Sequence, residues 1–406
     1  MPDFGQFFLM TPQEAAAYAV EVLHYFDPGD PLQCREIGDG NINYVFQVRR
    51  ETDGRSLVIK QADRLLRSSG RPLDMHRSQI EARALELEGE LAPGFVPKVI
   101  RYDETMAALA MEDISAYRNL RRELMENRVY PHLAEQLSTF LAASLLPTTD
   151  LILDRQEKKR RMRFFTNPEL CDITEDLVLT EPYDDYKGRN VITPGNEDFV
   201  REALYENEEL KAEAALLRDH FMNSAQALIH GDLHTGSIFA NETGVKIIDP
   251  EFAFYGPMGY DIGNVLGNLF FAWANKAYTQ PGEKAALSAL ESLIRDLFDK
   301  TLEKLKDTYN RQVSLPMYRT QRFRQTYLTG VRADSLGYAG TEMIRRVVGD
   351  AKVMEVTSVT DMGRRLPMER ALIRMGSWLI WKRAALRSGQ ELTDRFRALL
   401  EEGGAA

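Results

Sequence analysis

Apolar and polar positions along the first third of the chain read as a mixture of helix and strand, and beyond it helical spacing takes over. Thr11 followed by Glu14 forms a capping-box pattern before apolar residues spaced for a helix over 11–25. From Cys34 the period changes, and 34–37, 44–49 and 57–61 read as strands, the last two joined at Asp53-Gly54. A helix is expected over about 74–88, followed by two more strands at 96–103 and 107–111. These elements predict a five-stranded antiparallel sheet with a flanking helix, ending at Met111-Glu112-Asp113-Ile114. Beyond Ser115 helical spacing dominates: 120–127, 131–145, 157–165, 172–178 and a long charged helix at 196–223. Further helices are expected at 260–278, 283–309, 317–348, 366–388 and 391–402, with no internal repeat. The fold class implied is α+β, with a small sheet lobe at 1–113 and a large, mostly helical lobe at 114–406.

One stretch in the second lobe departs from helical spacing: LIHGDLHTGSIFANETGVKIIDPEFAFYGPMGYD, residues 228–261. The apolar run Ala227-Leu228-Ile229 delivers His230-Gly231-Asp232, and a polar turn spans 241–244. A second apolar run, Val245, Ile247 and Ile248, delivers Asp249-Pro250-Glu251. Two short strands joined by that turn are expected to bring Asp232 and the Asp249/Glu251 pair to neighbouring places. Three carboxylates there, beside Gly231 and Pro250, suit a base and a divalent-metal site better than a core.

Composition narrows the function classes. With 51 basic and 61 acidic residues among 406, the net charge is −10, which argues against a general nucleic-acid binder. Cys34 and Cys171 are the only cysteines, so a disulfide framework is not expected and a reducing compartment fits. There is no basic n-region or cleavage signal at the start and no run of 18 apolar residues, so the expectation is a cytoplasmic protein without membrane association.

The other candidate residues are ambiguous when read singly. The turn at 38–43 (Gly-Asp-Gly-Asn-Ile-Asn) is either an ordinary hairpin or a phosphate-approaching loop. Lys60, at the end of the third strand, reads as a solvated lysine or a phosphate ligand. Glu81, in the middle turn of the following helix, is the candidate partner for its ammonium. His230, His234 and Asp261 read as loop braces, Arg345-Arg346 alone as a solvated helix face, and Trp378 and Trp381 as core or subunit-interface residues.

Their order is more informative. A glycine-containing hairpin, a strand lysine, a helix glutamate, then His-Gly-Asp and an Asp-led motif form the part list of kinase-type phosphoryl transfer. HGDLHTGS at 230–237, DPEFA at 249–253 and GPMGYD at 256–261 resemble the 5-methylthioribose kinase family. That family lies in the aminoglycoside phosphotransferase and choline kinase branch of the protein-kinase-like fold; DGNIN at 39–43 and Arg345-Arg346 also match.

The resemblance implies a two-lobed kinase using ATP and Mg²⁺ to phosphorylate the small molecule 5-methylthioribose in methionine salvage, as a cytoplasmic homodimer. It implies that Asp232 is the base, that Asp249 and Glu251 flanking Pro250 hold the metal, and that Lys60 holds the phosphates with Glu81 fixing it. Asn43 would cover the nucleotide, the backbone of Glu112, Asp113 and Ile114 would meet the adenine, and Arg345 and Arg346 would contact substrate. Two departures stand out: there is no complete Gly-x-Gly-x-x-Gly loop, and Ser237 stands where many relatives have a metal-binding Asn. Alternatives are a related sugar or amino-alcohol kinase, a metal-dependent phosphohydrolase built on His230, Asp232, His234, Asp249 and Glu251, and an inactive kinase-like scaffold.

Overall fold

The computed structural model describes residues 2–37, 43–65 and 74–405. Most of the candidate phosphate turn, residues 38–42, lies outside them. The described chain divides into two compact units, residues 1–117 with 246–253, and residues 118–245 with 254–406.

The first unit is built on strands β1 (Leu32–Glu36), β2 (Tyr44–Arg50), β3 (Ser56–Gln61), β4 (Val99–Asp103) and β5 (Ala108–Glu112) in the order β1-β2-β3-β5-β4, all neighbours antiparallel. Helix α1 (Pro12–Glu21) starts at the Thr11/Glu14 capping box. It lays Ala15, Tyr18 and Ala19 on Phe46, Val48, Leu57 and Ile59 to make the core of this unit. Helix α2 (His76–Leu91) carries Arg77 and Glu81 one turn apart. Segment 246–253 joins this unit through Ile247 N–H, which donates to the Phe95 carbonyl at 2.8 Å. Lys246 Nζ adds bonds to the Val96 carbonyl at 3.2 Å and to Glu112 at 3.1 Å.

The second unit is largely helical. Its two central helices are Gly259–Thr279 and Gln321–Val348. Gly263, Asn264, Gly267 and Asn268 interrupt the apolar run of the first of these helices, and packing gives the reason. A Cβ at Gly263 would lie 2.5 Å from the Ser335 carbonyl oxygen and 2.6 Å from the Ala339 nitrogen, so only glycine lets these helices meet this closely. Asn268 then reaches Glu342 across the contact at 2.8 Å.

The expected long helix at 196–223 is broken. A short helix, Glu197–Val200, and a π turn, Arg201–Tyr205, precede a new helix, Glu208–Asn223, whose cap is Asn207 accepting from Leu210 N–H. The helix expected from 317 starts instead at Gln321, after a 3₁₀ turn at Pro316–Arg319 and a Thr320 cap. That expected over 366–388 runs Met362–Lys382, because Asp361 caps it early and Ser388 opens the next helix. No helix among the described residues is long and apolar enough to cross a membrane.

Candidate active site

In the first unit the sheet and α2 hold a buried charge cluster. Lys60, on β3, is 8% exposed and donates to Glu81 Oε1 at 2.8 Å and to Asp249 Oδ1 at 2.6 Å. Burial alone would lower the Lys60 ammonium, but Asp249, Glu81 and Glu251 outweigh it and raise it. Asp249 sits in the left-handed region (φ 66°, ψ 45°) just before Pro250, which opens the 3₁₀ turn Pro250–Phe252. A non-glycine residue pays strain there, and such strain concentrates at functional sites. Glu251 Oε2 accepts from Asn43 Nδ2 at 3.3 Å and lies 3.6 Å from Arg77 Nε. Arg77 in turn donates to Asn43 Oδ1 at 3.0 Å.

Lys60 and Arg77 thus face three carboxylates: Glu81, Asp249 and Glu251. The excess negative charge is felt at Glu81, whose carboxyl is pushed up to about 7 by burial, with Asp249 and Glu251 adding to it against the pull of Lys60. Asp249 is the carboxylate most open to an added cation, at 45% exposed. Surplus carboxylate oxygen of this kind fits Mg²⁺, a hard cation that takes oxygen donors. At the end of β5, Glu112 is tied to Lys98 N–H at 3.0 Å and to Lys246, while Asp113 accepts from Gln47 Nε2 at 2.7 Å and Ser115 N–H at 2.9 Å. The Ile114 carbonyl accepts from Tyr117 N–H at 2.8 Å.

In the second unit the strand Ala227–Ile229 delivers the His-Gly-Asp turn. Gly231 has φ +82°, which explains glycine there. Asp261, in the first turn of the Gly259–Thr279 helix, accepts from the His230 N–H at 2.7 Å and the Gly231 N–H at 3.0 Å, so it braces the loop. His234 Nδ1 accepts from the N–H groups of Gly236 and Ser237 at 3.0 and 3.1 Å, which places the imidazole proton on Nε2, 3.4 Å from Asp232 Oδ2. Burial lowers His234, so it stays neutral, and Ser237 Oγ donates to the Asp232 carbonyl at 2.8 Å.

Arg345 and Arg346 each place Nη2 3.6 Å from Asp232 Oδ1. They are buried, not on a solvated helix face, because Glu342, one turn earlier, anchors the Nε of both, Arg346 at 2.9 Å. Burial would raise the Asp232 carboxyl, but His234 and the two arginines hold it well below the usual range. Asp232 is 31% exposed: ionised, oriented and reachable. Sequence reasoning missed Glu342 and Arg77. For Glu342 the signal was available, as a glutamate three and four residues before an arginine pair on one helix.

A family model described as the phosphotransferase enzyme family matches residues 33–295. A methylthioribose kinase of Geobacillus sp. (strain WCH70) is 39% identical over 390 residues, covering 95% of each chain. The chain belongs to the methylthioribose kinase family. A methylthioribose kinase of Geobacillus thermodenitrificans (strain NG80-2), also 39% identical, spans 97% of this chain and 96% of its own. A choline kinase structure from Cryptosporidium parvum Iowa II is 14% identical and covers 97% of each chain at TM-score 0.47. It is the sequence relatives that place the chain.

Family membership makes the protein an ATP-dependent small-molecule phosphotransferase with the two-lobed α+β kinase-like fold, agreeing with the five-stranded antiparallel sheet and the helical unit. The phosphohydrolase alternative gives way. Besides the family, His234 Nδ1 is already taken by two backbone donors.

Proposed function

We propose that this enzyme transfers the γ-phosphate of ATP to the 1-hydroxyl of 5-methylthioribose, as a cytoplasmic homodimer in methionine salvage. The relatives' shared name and full-length identity support the acceptor. The single observation that carries the chemistry is Asp232, an ionised carboxylate held between a neutral histidine and two arginines.

Asp232 orients the acceptor hydroxyl and receives its proton as the bond to phosphorus forms. Arg345 and Arg346 contact the acceptor and offset charge on the phosphoryl group. Residues 1–113 form the nucleotide-binding lobe and 114–406 the acceptor lobe, with Asp249, Pro250 and Glu251 contributed to nucleotide binding. Lys60 holds the phosphates, fixed by Glu81; Asn43 covers the nucleotide, and the backbone of Glu112, Asp113 and Ile114 meets the adenine edge. Asp249 and Glu251 would hold Mg²⁺, which when bound neutralises phosphate charge. Trp381, 42% exposed at the end of the Met362–Lys382 helix, supports a subunit interface.

The test is ADP release from Mg²⁺-ATP with a panel of small hydroxylated acceptors. 5-Methylthioribose should be preferred over ribose, choline and aminoglycosides; equal or better turnover of any of these would sink the assignment.

A further inference from the structure

A third arginine adjoins the Asp232 cluster, and neither the motifs nor the reaction has yet given it a role. Arg121 lies in the short helix Leu120–Met125. Its Nη2 donates to Asn268 Oδ1 at 2.9 Å, and Asn268 Nδ2 donates to Glu342 Oε1, the carboxylate that holds Arg345 and Arg346. A Cβ built on Gly236 would lie 3.2 Å from Arg121 Nη1 and 2.7 Å from His234 Cε1. Nη1 and the imidazole whose Nε2 faces Asp232 thus both border Gly236.

The other side of the guanidinium faces Glu355, on the one-turn helix Met354–Thr357. Arg121 Nε is 3.3 Å from Glu355 Oε1, a buried ion pair. Glu355 is fully buried and Arg121 nearly so, so the two charges face each other away from solvent. Burying two charges costs desolvation energy even when they pair, so the pair adds little to stability and holds the guanidinium in one orientation.

The charges suggest a function. Arg121, Arg345 and Arg346 stand against Asp232, Glu342 and Glu355, and His234 is neutral, so the cluster has no net charge for an ionic acceptor. Paired with Glu355, Arg121 offers an anion little attraction but keeps an N–H donor, which suits a neutral hydroxyl.

We propose that Arg121 is a specificity-determining residue of the acceptor site. Its Nη1 donates to an acceptor hydroxyl other than the one phosphorylated, and Glu355 is its positioning residue. This rests on the reading that the acceptor binds at Asp232.

The test uses the full-length enzyme with saturating Mg²⁺-ATP, 5-methylthioribose, and its 2-deoxy and 3-deoxy analogues. Wild-type kcat/KM should fall at least about 100-fold for one deoxy analogue, because a site built to bond a hydroxyl rejects the analogue lacking it. Arg121→Gln should raise the KM for 5-methylthioribose about tenfold, leave the KM for ATP unchanged, and bring parent and deoxy analogue to within about threefold of each other. Glu355→Gln, nearly isosteric, should weaken the same discrimination, and Arg121→Lys should restore charge without restoring it. Should Arg121→Gln fail to fold, Glu355→Gln gives the same readout. Variants that retain the full wild-type discrimination overturn this inference alone. A wild-type enzyme that does not phosphorylate 5-methylthioribose overturns the function reading and this inference with it.

Discussion

Glu342→Gln isolates the charge that holds the two acceptor-side arginines. Glu342 is fully buried, and both arginines bond to it through Nε. Burial alone would raise its carboxyl, but Arg345 and Arg346 outweigh burial and bring it down to about 2 from an ordinary 4.5. That gap corresponds to about 3 kcal/mol of stability at neutral pH. Because the folded value is depressed, this contribution is fully present above the unfolded value of 4.5 and is lost as pH falls through about 2. The amide keeps the shape and removes the charge, so the variant should be about 3 kcal/mol less stable at about pH 7, with about 2 kcal/mol of that gap gone by about pH 3. Urea unfolding followed by circular dichroism at the two pH values measures it. Steady-state kinetics should show the acceptor KM raised about tenfold and the ATP KM unchanged, since the arginines lose their anchor. A stability gap that is the same at both pH values, together with an unchanged acceptor KM, would refute the reasoning.

Three further outcomes are expected. Asp232→Asn should lower kcat by at least about 1,000-fold while ATP still binds, and because its environment holds the wild-type carboxyl below the usual range, wild-type kcat/KM should show no acid limb from it down to about pH 5; near-normal turnover in the variant removes Asp232 as base. Asp249→Ala should abolish the Mg²⁺ dependence of ATP binding measured by calorimetry, and an unaltered dependence would place the metal elsewhere. Glu81, raised from 4.5 to about 7, works in the opposite sense to Glu342: its contribution is full below 4.5 and is lost as pH rises through about 7. The stability of wild type relative to Glu81→Gln should therefore decline from about pH 4 to pH 8, and a flat difference across that window counts against a raised carboxyl.

The first unit was the more legible in the sequence because its signals are local. The β-branched and aromatic runs at 44–49 and 57–61 mark β2 and β3, and Asp53-Gly54 fixes their turn. Glu81 could be singled out because the middle turn of α2 is where a helix beside a sheet has least freedom. The second unit resisted for the opposite reason. A helical pattern says which face is apolar but not which polar residue will be buried with it. Asn268 reads as an interruption until the Gln321–Val348 helix is seen against it. Arg121 and Glu355 are separated by more than half the chain. The break at 201–207 was hidden because the π turn and the Asn207 cap leave the charge pattern of 196–223 unchanged.

A carboxylate as acidic as Asp232 is an unpromising base by strength alone, and its surroundings say why that need not matter. In a loose phosphoryl transfer the acceptor hydroxyl keeps its proton until late, so orientation counts for more than basicity. Arg345 and Arg346 stand 3.6 Å from Asp232 but bond Glu342 directly, so neutralising Asp232 breaks no hydrogen bond to either arginine. When the proton arrives, three arginines face only two carboxylates, and the cluster gains one positive charge as the phosphoryl group is delivered. The depressed basicity is thus the resting cost of arginines whose charge is released when the reaction requires it. On this reasoning the arginines and the base form one device. In the Asp232→Asn variant, which carries that uncompensated positive charge permanently, the phosphorylated product should bind more tightly than it does to wild type, as product inhibition or calorimetry would register. Equal product affinity in the two proteins would separate the arginines from the base.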